Sequence, residues 1–236
     1  MSHLLTAGIL QQMRNVIPVN PPAGDFPSSG LVAYYKLDEA SGSVIDSHST
    51  NHGASYGVTR GLSGKIGNGY YFGVSDYVDL NAVPLLGEEM TISFWVKPDS
   101  PANYARLILQ GVDCGAKPYI IYFHTNTLNF GSGVVGVGNV NPIRGAAIQN
   151  DIWSFVVCTI TSSFYAEMFL NDEMRADQTY GSGAGVNGRF SLGARGVPNS
   201  PSSFFKGSID EVGMWNRILT RQEITDLYNN GNGITL

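Results

Sequence analysis

From Leu31 onward the chain is a succession of short apolar or alternating runs, each closed within a few residues by Gly, Asn, Asp or Ser. LVAYYKL, YVDL, TISFWVKP, YIIYF, TLNF, WSFVVCTI, YAEMFLN, FSLG and FKGSIDEVGMW are rich in β-branched and aromatic residues, which predicts strands. So many short strands imply an all-β sandwich or jelly roll. In TISFWVKP, Ile92, Phe94 and Val96 fall on one face and Thr91, Ser93, Trp95 and Lys97 on the other. WSFVVCTI is apolar at nearly every position, as a strand covered on both sides must be. Asn171-Asp172 marks a tight turn, because both residue types tolerate positive φ. Glycine supports the same class, with 29 in 236 residues against a usual ~7%. Charged residues are only 14%, which rules out a long-helix or coiled-coil protein.

Charge and cysteine content narrow the partners. Lys and Arg total 14 against 19 Asp and Glu, a net charge of −5, so no basic field exists to neutralise a nucleic acid backbone or hold an anionic membrane. No run approaches the length of a membrane-spanning helix. Cys114 and Cys158 are the two cysteines, without the spacing of a zinc or redox motif, and are read as free thiols, with one disulfide as the alternative. MSHLLTAGILQQMRNVIP lacks a basic n-region and a small-residue cleavage site, so it is not read as a signal peptide.

The first 29 residues read as an arm on a single domain spanning 30–236. Leu5, Ile9, Met13 and Val16 recur at helical spacing, and VIPVNPPAGDFPSSG behind them is too rich in proline and glycine for regular structure. An isolated helix this short is marginal in water. The stripe is therefore expected to bind a partner subunit, the alternative being that it folds back on its own sandwich and covers a sheet edge. Near the other end, Thr220-Arg-Gln-Glu223 forms a capping box ahead of Ile224, Leu227 and Tyr228, which predicts one short helix closed by Gly231.

Four ordered segments resemble the concanavalin A-like, laminin G-like jelly roll, in the variety found as accessory modules of secreted and viral proteins. They are GLVAYYKLDEASGSVIDSHSTNHGASYG, GKIGNGYYFGVSDYVDL, MTISFWVKP and FKGSIDEVGMWNRILTRQEITDLYNNG. Together they bracket about residues 30 to 232. The resemblance implies two packed antiparallel sheets and brings the acids near the start of the domain beside those near its end.

That juxtaposition makes Asp46 and Asp210 candidate calcium ligands, with Asn51 and loop carbonyls completing the sphere and Asp38 as a further carboxylate, since Ca²⁺ takes six to eight oxygens. The alternative is that these acids cap turns. Sugar recognition needs flat rings beside turn-rich segments, and Tyr104, Tyr119, Tyr180 and Phe204 are so placed. Catalytic relatives carry a Glu-x-Asp-x-x-Glu-like strand; here Ser208-Ile-Asp210-Glu-Val-Gly213 lacks both glutamates, and Glu167 has no acid two residues away. The expected protein is a noncatalytic module for carbohydrate or cell-surface recognition, displayed through its arm on a larger assembly such as a phage particle, at a virion surface or outside the cell. A purely structural decoration or spacer subunit is the alternative, and a glycoside hydrolase the third.

Overall fold

TISFWVKP forms the middle of the molecule because both of its faces find apolar cover. In a computed structural model, which describes residues 24–80, 83, 89–110, 119–132, 143–179 and 189–236, it is the nine-residue strand β6 (Met90–Pro98) of fifteen. The others are β1 (Leu31–Tyr35), β2 (Ala54–Tyr56), β3 (Thr59–Ser63), β4 (Asn68–Phe72), β5 (Tyr77–Leu80), β7 (Arg106–Gln110), β8 (Tyr119–His124) and β9 (Thr127–Ser132). After them come β10 (Ile143–Ala147), β11 (Ser154–Ile160), β12 (Tyr165–Leu170), β13 (Glu173–Thr179), β14 (Phe190–Leu192) and β15 (Gly207–Trp215).

They make two antiparallel sheets. The eight-stranded back sheet runs β13-β12-β11-β6-β15-β4-β3, with β1 also on β15, and the seven-stranded front sheet runs β10-β9-β8-β7-β14-β5-β2. Between them lie Ile92, Phe94 and Val96 of β6 with Tyr70, Phe72, Phe123, Phe130, Phe190 and Ile209. This is the jelly-roll sandwich with one short C-terminal helix that the sequence implies.

The outer face of the back sheet is apolar too. Tyr34, Trp95, Phe155, Phe169 and Trp215 gather there under helix α1 (Arg221–Tyr228), which lays down Ile224 and Leu227. The capping box holds the helix start, Thr220 Oγ1 accepting from the Glu223 amide and Glu223 accepting from the Thr220 amide. Burying the inner and outer faces together explains why β11 has no exposed residue.

The tether differs from its expected role at its last residues. Phe26 packs edge-on against Tyr34 at 4.8 Å and stacks on Trp215 at 6.1 Å, and the Trp215 indole N–H donates to the Pro27 carbonyl at 2.6 Å. Phe26 and the Pro27 carbonyl therefore join the back-sheet cluster, because an aromatic ring inside the proline-rich run has an apolar surface to cover. Leu5, Ile9, Met13 and Val16 lie outside the described residues, as does Cys114. Cys158 is a free thiol buried in β11, where loss of solvent pushes its ionisation up.

Candidate functional site

With the back sheet covered, the outer face of the front sheet is where polar and aromatic side chains collect. Register sets a row across it: Arg106 of β7 opposes Tyr122 of β8, Tyr122 opposes Asn129 of β9, and Asn129 opposes Arg144 of β10. A bulge after Arg106 keeps its side chain on this face while Leu107 and Ile108 join the core. The Arg106 guanidinium lies 5.0 Å above the Tyr122 ring and donates to the Tyr104 carbonyl at 2.8 Å.

Tyr104 stands at the edge of this row. Its ring is 45% exposed, 4.8 Å from the His124 ring and stacked at 6.4 Å on Tyr122. The segment beneath is tied to the β8–β9 hairpin, the Tyr104 amide donating to Phe123 and the Thr125 amide to Asn103 Oδ1. Tyr104 has φ +64°, a left-handed geometry that costs a tyrosine energy and is held by those bonds. Burial raises the Tyr122 phenol's pKa, while Arg106 and Arg144 both pull it down, so two guanidinium fields meet on one ring. At the far side Asp79 pairs with Arg189 at 2.6 Å, and burial still pushes its carboxyl up.

Of the four expected sugar-stacking residues, the structure places one openly on this face. That one is Tyr104. Phe204 is half-buried on a segment that runs beside β7, where the Arg106 amide donates to Ser203. Tyr119 is a correction: it is 3% exposed in the core and stacked on Phe130, because in β8 residues 120, 122 and 124 face outward and 119 takes the opposite phase. Tyr180 lies outside the described residues. Sequence reasoning missed Arg106, Tyr122, His124, Asn129 and Arg144. The available signals were Tyr and His two apart in YIIYFH and an arginine leading the apolar run RLILQ.

The expected calcium ligands are drawn into two separate structural roles. Asp46 accepts from the amides of Tyr34, His48 and Asn51 and from the Asn51 side chain, closing its own loop. Asp210 instead accepts from Lys65 and Ile66 in the β3–β4 turn, where Asp38 also accepts from Asn68. Among the described residues no three His, Cys, Asp or Glu side chains converge as a metal-holding group. The donor set does not fit one ion shared by Asp46 and Asp210, since backbone N–H groups already occupy both carboxylates.

A family model of the concanavalin A-like lectin/glucanases superfamily matches residues 72–225. The chain belongs to that superfamily. Domain 4 of AbnA, an extracellular arabinanase from Geobacillus stearothermophilus solved with arabinotriose, is similar with a TM-score of 0.66 and 19% identity over 83% of this chain and 97% of the other. A botulinum neurotoxin type C structure, reported with the dependence of cell entry on two ganglioside molecules, gives 0.67 and 14% over 88% of this chain and 52% of the other. The Trypanosoma rangeli sialidase, in complex with a difluoro-KDN, gives 0.67 and 16% over 97% of this chain but 39% of its own length. Comparison with curated protein sequences finds no match. At these identities the likeness speaks for the fold, here a lectin-like jelly roll.

Proposed function

We propose that the chain is a noncatalytic glycan-recognition module whose contact surface is the open margin of the front sheet's outer face, around Tyr104, His124 and Arg144, since Tyr122 and Asn129 between them are buried. The carrying observation is Tyr104, an exposed ring held in left-handed backbone between His124 and Tyr122. A sugar's apolar face stacks on such a ring while neighbouring polar groups take its hydroxyls. The similar domains solved with arabinotriose and discussed with gangliosides support a saccharide as the ligand class.

Binding without cleavage fits the distribution of acids. Glycoside hydrolysis needs two carboxylates flanking one bond. On the described part of the front face the carboxylate is Asp79, which is tied to Arg189. Asp210 and Glu211 are buried in β15, and Glu167 of β12 lies opposite Asp177 of the edge strand β13, where Asp177 accepts from the Tyr165 hydroxyl, on the back sheet.

Display on a larger assembly, such as a virion, is supported by where the chain enters. Residues 24–29 are clamped to the outside of the back sheet, so a holder at the N-terminal side leaves the front face pointing away. On a glycan array the full chain should retain a defined set of saccharides, and Tyr104→Ala should lose them with its melting temperature within about 2 °C of the parent. Equal retention by Tyr104→Ala would move the site elsewhere. Absence of any saccharide binding would leave the spacer role.

A further inference from the structure

Resting on that reading, we infer that the front face recognises acidic oligosaccharides, with Arg144 taking the carboxylate or sulfate group beside a sugar stacked on Tyr104. The chain as a whole is anionic, at −5, and would repel such a ligand unless the local charge were reversed. On this face it is reversed. Among the described outward positions of the front sheet the charged side chains are Arg106, Arg144 and Asp79, and Asp79 is already neutralised by Arg189.

The two arginines are matched in register with Tyr122 and Asn129 between them, three strand spacings of ~4.8 Å apart, or about 14 Å between backbones. They serve different purposes. Arg106 is 3% exposed and committed to the Tyr122 ring and the Tyr104 carbonyl, so it positions the stacking ring. Arg144 is exposed, and among the described residues it meets no carboxylate. A guanidinium with its donor fork open to solvent is suited to a planar carboxylate or a sulfate oxygen, since the pair is bidentate and charge-assisted. Half-buried His124 supplies a polar edge beside the ring, whereas Asn129 is buried, its amide donating to the Thr127 carbonyl, and holds the sheet between them.

The test uses the full chain on an array of neutral, uronate-bearing, sialate-bearing and sulfated glycans, read at about 50 and about 300 mM salt, between which a surface charge pair is increasingly screened. Retention should be confined to acidic glycans and weaken with salt, and the carboxylate and sulfate arms identify which anion is taken. Arg144→Gln should lose about tenfold or more for those glycans. Arg175→Gln, an exposed arginine paired with Glu173 on the back sheet, should change nothing. Equal capture of neutral glycans, or an Arg144→Gln chain that binds acidic glycans as tightly as the parent, overturns the inference. If binding is to neutral glycans and is abolished by Tyr104→Ala but not by Arg144→Gln, the face stands and the charge preference falls. No saccharide binding in any arm defeats both.

Discussion

Asp210 and Glu211 sit where β15 changes neighbours: β4 pairs with 207–209 and β1 with 212–215, leaving the two acids in the gap. A bulge there, with Glu211 at φ +51°, turns Asp210 toward the Lys65 and Ile66 amides and Glu211 toward the Tyr34 hydroxyl. Burial dominates both, pushing Asp210 up to about 8 and Glu211 up to about 7, and one Glu211 oxygen has no hydrogen-bond partner. A carboxyl whose pKa rises on folding adds stability fully below its ordinary pKa of about 4, and that stability is lost as pH climbs through the folded value. Melting temperature should therefore fall between about pH 4 and about pH 8, with a shallower fall in Asp210→Asn. Because backbone N–H groups occupy the Asp46 and Asp210 carboxylates, curves in millimolar calcium and in chelator should coincide. A wild-type slope no steeper than the variant's, or a calcium-dependent rise, would show the acids differently engaged. The sequence displayed these acids but not the amides that satisfy them, since the Lys65 and Asp210 contact depends on a sheet neighbour 145 residues away.

Elements were legible where residue type and burial agree. Each of the nine predicted runs contains a strand, and Asn171-Asp172 turns with φ of +51° and +62°. The runs passed over fail that agreement in particular ways. β13, EMRADQT, is an exposed edge strand whose charges discourage further pairing, and β2 and β3 are likewise exposed edges with glycine or serine in place of apolar alternation. RLILQ carries charge and amide at its ends and a bulge that breaks its period. The helix was legible because its cap is chemical and local. Thr220→Ala removes an acceptor for the Glu223 amide, and caps of this kind contribute about 1 kcal/mol. A loss of about 2–4 °C in melting temperature is expected for a chain of this size. Arg217, which pairs with Glu223 at 2.6 Å, keeps the helix start partly anchored, so a loss several times larger would mean that α1 detaches as a unit.

At the scale of the whole molecule, the question is where the arm ends and the domain begins, because the display geometry depends on it. Proline and glycine content alone places the boundary at 29, yet Phe26 and the Pro27 carbonyl complete the back-sheet cluster. Two truncations separate these boundaries. Removing residues 1–23 leaves Phe26 on Tyr34 and Trp215, so melting should stay within about 2 °C of the full chain. Removing residues 1–29 uncovers part of that cluster and strips the buried Trp215 N–H of its acceptor, for which a lost partner alone costs about 1–3 kcal/mol. It also removes the Ser29 carbonyl to which Arg217 donates. The longer truncation should melt several degrees lower, and Phe26→Ala in the full chain should reproduce part of that drop. Glycan binding should survive both, because the front face lies across the sandwich from these contacts. Equal melting of the two truncations would return 24–29 to the arm, and loss of binding in the shorter truncation would show that the N-terminal segment contributes to the recognition surface instead of holding it at a distance.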